Sequence, residues 1–414
     1  MIDVSRVRMA GPIVPFAAGF AGELHRLGYT ECSSHAQLWL AAHLSGWMAD
    51  RGLEVSALDT EVIAEFVAWR RTIGRTAFRS AGALEPLLRY LRRLGAAPVP
   101  RPPDPPAGPV EVLLDQFGTY LRAERGVTVK TARDYAAFVR PFLDELAGSD
   151  RVRWESATPA AVTAFILDQC RRRRVRAAQL VATATRALLR WLHIRGVVDG
   201  ALAAAVPKVP DRRQQLPRGL EPSQMQALLD SCRRDAVGRR DYAIMVMAAR
   251  LGLRAGEIAG LRLEDIDWRQ GQVVVRGKPQ RIDSLPLPVD VGQALVDYLR
   301  WGRPADALDR AVFVRVLAPH RGLTPVGVTQ VVVAAAARAG LDTGPGGVTA
   351  HRLRHSAATA MLRAGAPLAE IGQVLRHQRL ATTALYAKTD IVALRALARP
   401  WPTSPLVSPP GGLA

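Results

Sequence analysis

The sequence is poor in cysteine and has no long, uninterrupted apolar run. Its three cysteines, Cys32, Cys170 and Cys232, are widely separated, with no CxxC pair and no adjacent histidine. This pattern argues against both a disulfide framework and a zinc site. No stretch contains eighteen uncharged apolar residues, so a membrane-spanning helix is not expected. The N-terminus lacks a signal-peptide core and cleavage site, which predicts a cytoplasmic protein.

Acidic residues are scarce relative to basic ones. The chain has 56 Lys and Arg residues, mostly Arg, against 37 Asp and Glu residues, so its formal net charge is +19. Its sequence pI is about 11.0. Because guanidinium groups match phosphate oxygens, this surplus favours a nucleic-acid partner. The alternative is a basic, solvated surface without such a partner.

Two proline-rich stretches divide the 414 residues into three parts. Residues 95–111 contain seven prolines, and residues 206–224 contain a charged stretch bracketed by further prolines. Such segments form extended linkers. The predicted domains are residues 1–98, 109–206 and 217–398, followed by a flexible tail at 399–414.

The first two parts have similar helical patterns at an offset of about 100 residues. "VIAEFVAWRR" (62–71) parallels "VTAFILDQCRR" (162–172), and "LEPLLRYLRRLG" (84–95) parallels "TRALLRWLHIRG" (185–196). Apolar residues recur at helical spacing in both, and the last segment of each ends in glycine. The pattern predicts two all-helical modules in tandem. Duplication and two generic helical bundles both explain it.

The third part is predicted to be mostly helical with one small antiparallel sheet. "EPSQMQALLDSC" has one apolar face, and "RDYAIMVMAARLG" is apolar almost all round, which predicts a buried central helix. Val273–Val275 and a stretch near Ile282–Leu287 flank the turn "RGKPQR", as expected for a hairpin. Helices resume around "VGVTQVVVAAAARAG", "HRLRHSAATAMLRAG" and "LAEIGQVLRH". The fold class is therefore mainly α with a small antiparallel β-sheet.

Two motifs supply arginines that could bind an anion. "GLRAGEIAGL" places Arg254 just after a hydrophobic helix, where burial is costly without an anionic partner. A local pair with Glu257 is the alternative. In "HRLRH", His351 and Arg354 are three residues apart and share a helical face. Two guanidiniums and an imidazole that converge on one phosphodiester would neutralise its non-bridging oxygens in place of a metal ion.

Lys278 and Tyr386 could complete such a site. Lys278 lies at the tip of the predicted hairpin, where a lysine is commonly just solvated. Beside other cations its pKa would fall, which would suit a proton donor to a leaving 5′ oxygen. A phenol with a pKa of about 10 is a poor nucleophile unless neighbouring cations help it lose its proton. Tyr386 is the candidate nucleophile.

This set of motifs resembles the tyrosine recombinase, or phage integrase, family over about residues 217–398, with weaker support from 111–206. "GLRAGEIAGL" matches the family's first arginine box, with Glu257 at its supporting acidic position, and "HRLRHSAAT" matches the His-x-x-Arg box. The resemblance assigns six catalytic residues in order: Arg254, Lys278, His351, Arg354, His377 and Tyr386.

The resemblance also implies roles around the last two residues. His377 would hydrogen-bond the scissile phosphate, and Tyr386, nine positions later, would attack it. One departure is Arg376, since the family usually has glycine before this histidine. Arg376 is predicted either to alter the local backbone or to add a contact to DNA.

The family resemblance implies a reaction and partners. Strand cleavage would leave a 3′-phosphotyrosyl link without metal or nucleotide cofactors. The protein would act on double-stranded DNA as a homo-oligomer, a tetramer on two duplexes, with accessory recombination proteins as further partners, in the nucleoid. Residues 109–206 would be a SAM-like core-binding domain, and residues 1–98 an accessory DNA-binding or interaction module. Integration, excision, dimer resolution and transposition all use this chemistry.

An arginine run adds candidate DNA contacts, either as a phosphate-tracking helix face or as a solvated loop. Its members are Arg171, Arg172, Arg173, Arg174 and Arg176. Two alternative functions compete with a recombinase. One is a type IB topoisomerase-like DNA relaxer, and the other is a catalytically silent DNA-binding relative.

Overall fold

The computed structural model describes residues 7–78, 80–99, 108–148, 150–210, 219–277, 282–341, 347–376 and 383. The described residues are mainly helical and include one three-stranded antiparallel sheet. The predicted fold class is therefore confirmed. The chain separates into two compact units, one of residues 1–99 together with 215–414 and the other of residues 100–214.

The described residues of the N-terminal module form four α-helices. They are α1 (Ala17–Arg26), α2 (Glu31–Ala49), α3 (Thr60–Thr72) and α4 (Glu85–Arg93). Thr30 and Asp59 cap α2 and α3 by accepting hydrogen bonds from first-turn amides, which would otherwise lack partners. Trp47 packs edge-on against Phe66 in the core, with ring centroids 5.5 Å apart. The module has its own hydrophobic cluster between Val7 and Ala97.

Within its compact unit, the N-terminal module packs against a loop of the C-terminal part at Gly28. Gly28 has a φ of +79°, and a Cβ there would lie 2.3 Å from Asp306 Oδ2 and 2.5 Å from His320 Cδ2. Only glycine satisfies both the backbone angle and this close approach. Burial raises the pKa of the adjacent Tyr29. The N-terminal module and the loop that carries Asp306 and His320 are therefore in close contact at Gly28.

The second module forms its own compact unit, and its described residues include five α-helices. They are α5 (Pro109–Ala123), α6 (Val129–Glu145), α7 (Pro159–Arg172), α8 (Val175–Ile194) and α9 (Gly200–Ala204). Thr128 and Thr158 cap α6 and α7. Phe142 and Phe165 meet in the core with ring centroids 5.2 Å apart. The module has a hydrophobic cluster of its own, and the three-domain division with its boundaries stays a prediction.

The C-terminal domain is built around one buried helix. Its elements are α10 (Pro222–Asp230), α11 (Ala236–Arg250), α12 (Ala255–Ala259), β1 (Ile266–Asp267), β2 (Gln272–Arg276), β3 (Ile282–Pro286), α13 (Val289–Trp301), α14 (Pro325–Arg338), α15 (Ala350–Arg363) and α16 (Leu368–Val374). Residues 243–248 of α11 are buried on every side, as the apolar pattern predicts. Helices α13, α14 and α15 pack around α11.

The sheet is antiparallel in the order β1-β2-β3. Val273 pairs with Leu285, and all three of Val273, Val275 and Leu285 are buried. Alternate side chains of β2 therefore face the core, as the strand period requires. Arg276 pairs with Ile282 at the end of the ladder, so the two strands converge on the predicted hairpin turn.

In the described part of the C-terminal domain, two helices and one strand were not predicted from the sequence. Strand β1 has two residues and α12 has five, which is too short for a periodic signal. Helix α13, by contrast, has a clear periodic signal in the sequence, since Val291, Leu295 and Tyr298 recur at helical spacing and are fully buried.

Among the described residues, no helix combines the length and apolarity that a membrane span requires.

Candidate active site

Arg254 stands at the start of a short helix that holds its side chain. After α11 ends, Gly252 turns the chain with a φ of +59°, and Arg254 becomes the N-cap of α12. Glu257 reaches back, so that its Oε2 accepts from the Arg254 amide at 2.9 Å and its Oε1 accepts from Arg254 Nη1 at 2.7 Å. The local pair considered above therefore forms. The Arg254 side chain is still 46% exposed, so part of the guanidinium can meet a ligand.

Glu257 is the buried centre of the site. Its side chain is 5% exposed and also accepts from Arg376 Nη2 at 2.7 Å. Burial by itself would raise the pKa of Glu257, but the Arg254 amide and the charges of Arg376 and Arg254 lower it below 4.5. Glu257 is thus a carboxylate at neutral pH that joins two guanidiniums from distant parts of the chain.

Arg376 occupies an unusual backbone conformation. Its φ of +54° is in the left-handed region, which glycine adopts without steric cost and other residues seldom do. Its side chain is 3% exposed, with Nη2 on Glu257 and Nη1 on the Val374 carbonyl oxygen at 3.1 Å. These bonds give Arg376 a supporting place beside Glu257 and Arg254. Its predicted contact with DNA stays a prediction.

Arg354 ties the His-x-x-Arg box to both other segments. It is buried in α15 and donates hydrogen bonds to the carbonyl oxygens of Gly252 and Leu375. These carbonyls lie two residues before Arg254 and one before Arg376. The segments that carry three predicted site residues therefore meet at one place, although Gly252 and Leu375 are 102 and 21 residues from Arg354 in sequence.

His351 lies one turn before Arg354 on α15 and is exposed. Its ring stands edge-on to His355, with centroids 4.3 Å apart. The helix therefore presents His351 near the end where Arg354 is anchored, as their spacing predicts. Both histidines have electrostatic or ring interactions.

Lys278, His377 and Tyr386 lie outside the described residues, so their predicted roles stay predictions. Their surroundings are partly described. Strand β2 ends two residues before Lys278. Thr383, three positions before Tyr386, is fully buried, and a Cβ at Gly372 of α16 would lie 3.0 Å from its Oγ1. This contact places Thr383 beside α16.

The arginine run in the second module spans the turn between α7 and α8 and does not lie on one helix face. Arg171 and Arg172 end α7, Arg174 is the N-cap of α8, and Arg176 lies in its first turn. Arg172 pairs with Asp168, whereas Arg173 Nε donates to Gln169 Oε1 at 2.7 Å. All members of the run are exposed. The helix-face interpretation is therefore wrong, and contact with DNA remains a prediction.

Sequence reasoning did not find the pairing of Arg376 with Glu257. The two residues are 119 positions apart, and no periodicity links them. An arginine where the resembled family has glycine was the available signal.

The chain is similar to proteins known by sequence. Residues 218–391 match the phage integrase family. The protein y4rA of Sinorhizobium fredii (strain NBRC 101917 / NGR234), assigned as an integrase/recombinase, is 38% identical over 395 residues, which are 95% of this chain and 95% of that protein. Tyrosine recombinase XerC of Mycobacterium sp. (strain JLS) is 33% identical over 312 residues, which are 70% of this chain and 97% of XerC.

A solved structure shares the fold. The crystal structure of a lambda integrase tetramer bound to a Holliday junction matches 76% of this chain and 88% of its own, with a TM-score of 0.54 and 16% sequence identity.

Proposed function

Because the chain belongs to the phage integrase family of tyrosine recombinases, we propose that it is a site-specific DNA recombinase that works through a 3′-phosphotyrosyl intermediate. The observation that carries the proposal is the junction of three motifs. Glu257 holds Arg254 and Arg376, while Arg354 binds the carbonyls of Gly252 and Leu375. An arrangement of this kind suits the capture of one phosphodiester.

In the proposed cleavage step, the phenol oxygen of Tyr386 attacks the phosphorus of one phosphodiester. A bond forms from Tyr386 Oη to phosphorus, and the bond from phosphorus to the 5′ oxygen breaks. The phenol proton passes to solvent, and Lys278 donates a proton to the leaving oxygen. The 5′ hydroxyl of a partner strand then attacks the phosphotyrosyl group and releases Tyr386. Each step exchanges one phosphoester for another, so neither a nucleotide nor a metal is required.

The proposed role of the cations is to stabilise charge on the non-bridging oxygens. Arg254 can address the phosphate with its exposed edge while Glu257 holds Nη1. A fixed donor of this kind costs little reorganisation during the reaction. Arg354, His351 and His377 are proposed to complete the set once DNA is bound, since catalytic hydrogen bonds often tighten only in the complex.

The proposed partner is double-stranded DNA, and the proposed active form is a tetramer on two duplexes. The net charge of +19 suits a polyanion. The lambda integrase structure is a tetramer bound to a Holliday junction, which supports the same assembly here. Residues 109–206 would bind DNA in addition to the catalytic domain. The protein would then act on nucleoid DNA in the cytoplasm, in integration or transposition of a mobile element.

A covalent-trapping experiment tests the proposal. Purified wild-type protein, Tyr386→Phe and Tyr242→Phe are incubated in EDTA with nicked duplexes taken from the regions that flank the gene. Tyr242 is a matched control because it is an exposed tyrosine of the same domain. We expect a detergent-stable protein–DNA adduct with the wild type and Tyr242→Phe but not with Tyr386→Phe. An adduct that persists in Tyr386→Phe would refute the proposed nucleophile.

A further inference from the structure

The two helical modules repeat the same order of local structures. In each, a first helix is followed by a second helix with a threonine cap, Thr30 in one and Thr128 in the other. A three-residue 3-10 helix comes next, Val55–Ala57 in one and Trp154–Ser156 in the other. Side-chain-capped α3 and α7 then follow, and α4 and α8 complete the set. The modules can therefore be compared position by position.

The buried residues keep this register. Phe66 of α3 and Phe165 of α7 are 99 positions apart, and both are buried. Four further pairs at an offset of 101 are buried in both modules: Leu87 and Leu188, Leu88 and Leu189, Tyr90 and Trp191, and Leu91 and Leu192. Identical spacing of several core residues makes the comparison specific.

At one matched position both modules bury a polar residue. Arg70 lies four residues after Phe66, and Gln169 lies four after Phe165; both are among the buried polar residues. Gln169 holds the exposed Arg173, whose guanidinium carbon lies 5.9 Å from the ring centroid of Phe138 on α6. In the second module, the residue at this position therefore holds Arg173, a member of the Arg171–Arg176 run.

In the N-terminal module the arginine itself occupies the buried position. Arg70 Nη1 is 2.9 Å from His43 Nδ1, and Nη2 donates to the Ala77 carbonyl oxygen at 3.0 Å. Because a guanidinium only donates, His43 must accept. Burial and the charges of Arg70 and Arg75 lower the pKa of His43, which keeps it neutral. His43 therefore offers Arg70 a lone pair but no negative charge.

The charge of Arg70 has no carboxylate to offset it. In the described part of the chain, no ion pair joins Arg70 or Arg75 to a carboxylate, and Arg70 Nε is buried without a hydrogen-bond partner. Burial and the nearby Arg75 lower the pKa of Arg70. Arg70 and Arg75 are neighbouring cations, and Arg70 is buried. This arrangement is unfavourable unless an anion binds.

The surface above Arg70 suits a nucleic acid. Arg75 is exposed, and its amide donates to the Arg70 carbonyl oxygen at 3.1 Å. Trp39 is 51% exposed on α2, with its ring edge-on to His43 at 6.2 Å. An exposed arginine near an exposed aromatic ring can bind a phosphate and cover the adjoining sugar, and the buried charge of Arg70 adds to the attraction for an anion.

We propose that Arg75 and Trp39 form a phosphate-binding site in the N-terminal module, that the buried charge of Arg70 beside them attracts the anion without touching it, and that the ligand is the DNA backbone. The site matches the Arg171–Arg176 turn of the second module in its position in the repeat. Residues 1–99 contain eleven arginines and nine acidic residues, so the module as a whole is nearly balanced in charge. The positive charge at Arg70 and Arg75 is therefore a local feature. The inference rests on the proposed function only in taking DNA as the partner.

The binding test uses the full chain with Tyr386→Phe, so that no covalent adduct forms, and a long linear duplex of plasmid sequence. In this background Arg75→Gln removes the exposed contact, and Arg70→Gln installs the residue of the matched position. Arg89→Gln is the control, because Arg89 of the same module pairs with Glu85. We expect Arg75→Gln to weaken binding roughly three- to tenfold at 0.1 M salt and to reduce the slope of log affinity against log salt by about 0.9. Arg89→Gln should change neither. Equal slopes for Arg75→Gln and its parent would overturn the proposal.

A stability measurement separates this site from a structural role. If Arg70 only supports the fold, Arg70→Gln should lower the midpoint of urea unfolding. If its charge awaits an anion, the variant should unfold at the same or a higher urea concentration while it binds the duplex more weakly. A lower midpoint with unchanged DNA affinity would overturn the proposal. Protection by inorganic phosphate without any loss of DNA affinity would overturn the assignment of DNA as the ligand.

The result is independent of the cleavage chemistry. The salt titrations use the Tyr386→Phe background throughout, so they require no strand cleavage. Failure of Tyr386 to form an adduct would refute the proposed function, and the salt slopes would still decide this inference.

Discussion

The catalytic domain and the N-terminal module each bury an arginine, and they treat its charge differently. Arg376 in the catalytic domain is held by Glu257, a buried carboxylate at 2.7 Å. Arg70 in the N-terminal module is held by a histidine nitrogen and a backbone carbonyl, neither of which carries negative charge. Both side chains are withdrawn from water, yet only Arg376 has its charge offset within the protein.

The difference separates two uses of a buried cation. A charge paired inside the fold fixes the geometry of neighbouring groups, and removal of either partner leaves the other uncompensated. A charge left unpaired raises the energy of the unliganded protein and gains most when an external anion arrives. On this basis Arg376 positions the reaction site, whereas Arg70 recruits DNA.

The largest effect is expected from Arg354→Ala. The change removes a phosphate contact of the proposed transition state, worth about 3 kcal/mol or more, so cleavage should fall at least about a hundredfold. Single-turnover cleavage of nicked DNA measures it. Arg363→Ala on the same helix is the control, since its exposed pair with Glu221 contributes little. A loss below tenfold for Arg354→Ala would contradict the role given to this residue.

Glu257→Gln should come next. The variant keeps the shape of the side chain but leaves two guanidiniums without their shared charge, and breaking such a buried pair costs about 3 kcal/mol of folding stability. Urea unfolding and the cleavage rate should both show the loss.

The pH dependence of stability sharpens this prediction. The pKa of Glu257 is lowered in the folded state from its ordinary 4.5. Its contribution to stability is therefore complete above about pH 4.5 and is lost as the pH falls through the lower folded pKa. Glu257→Gln should remove that part of the acid-induced loss. If Glu257→Gln lost as much stability between neutral and acidic pH as the wild type does, the result would contradict the pairing of Glu257 with the two arginines.

Arg376→Gly should have a smaller, selective effect. Glycine adopts the positive φ at this position without steric cost, but the link from Glu257 to the segment before His377 is lost. We expect cleavage at saturating DNA to fall roughly tenfold, which is about 1.4 kcal/mol of the barrier, while the Kd for DNA stays the same. Arg376→Lys should restore part of the rate. A changed Kd with a normal rate would point to a DNA contact instead.

The smallest effect is expected from Arg174→Gln in the second module. Arg174 is exposed at the turn between α7 and α8. If this turn and the Arg75 region contact the backbone in equivalent ways, Arg174→Gln should reduce the salt slope by about 0.9, as predicted for Arg75→Gln. The same salt titration measures both. A slope change in only one module would limit DNA contact to that module.

Much of the fold could be predicted because its signals are local. The all-round apolar pattern of residues 243–248 predicted the buried helix α11, and the run Val273–Val275 predicted β2. The exposed turn at Arg171–Arg176 was harder, since a run of arginines has no periodicity that distinguishes a helix face from a loop.

The site was predictable as a set of residues but not as a set of contacts. Spacing placed His351 and Arg354 on one helix, and Glu257 within reach of Arg254. The bonds from Arg354 to the carbonyls of Gly252 and Leu375, and from Arg376 to Glu257, join residues that only the tertiary fold brings together. Likewise, Arg70 looks like any surface arginine until its burial is known.

The most direct test of the central claim is to identify the residue that carries DNA in a trapped complex. Wild-type protein trapped on nicked DNA is digested with nuclease and protease, and the nucleotide-bearing peptide is sequenced by mass spectrometry. The account predicts a single modified residue, Tyr386, linked through a 3′ phosphate. Attachment at any other residue, or through a 5′ phosphate, would contradict it.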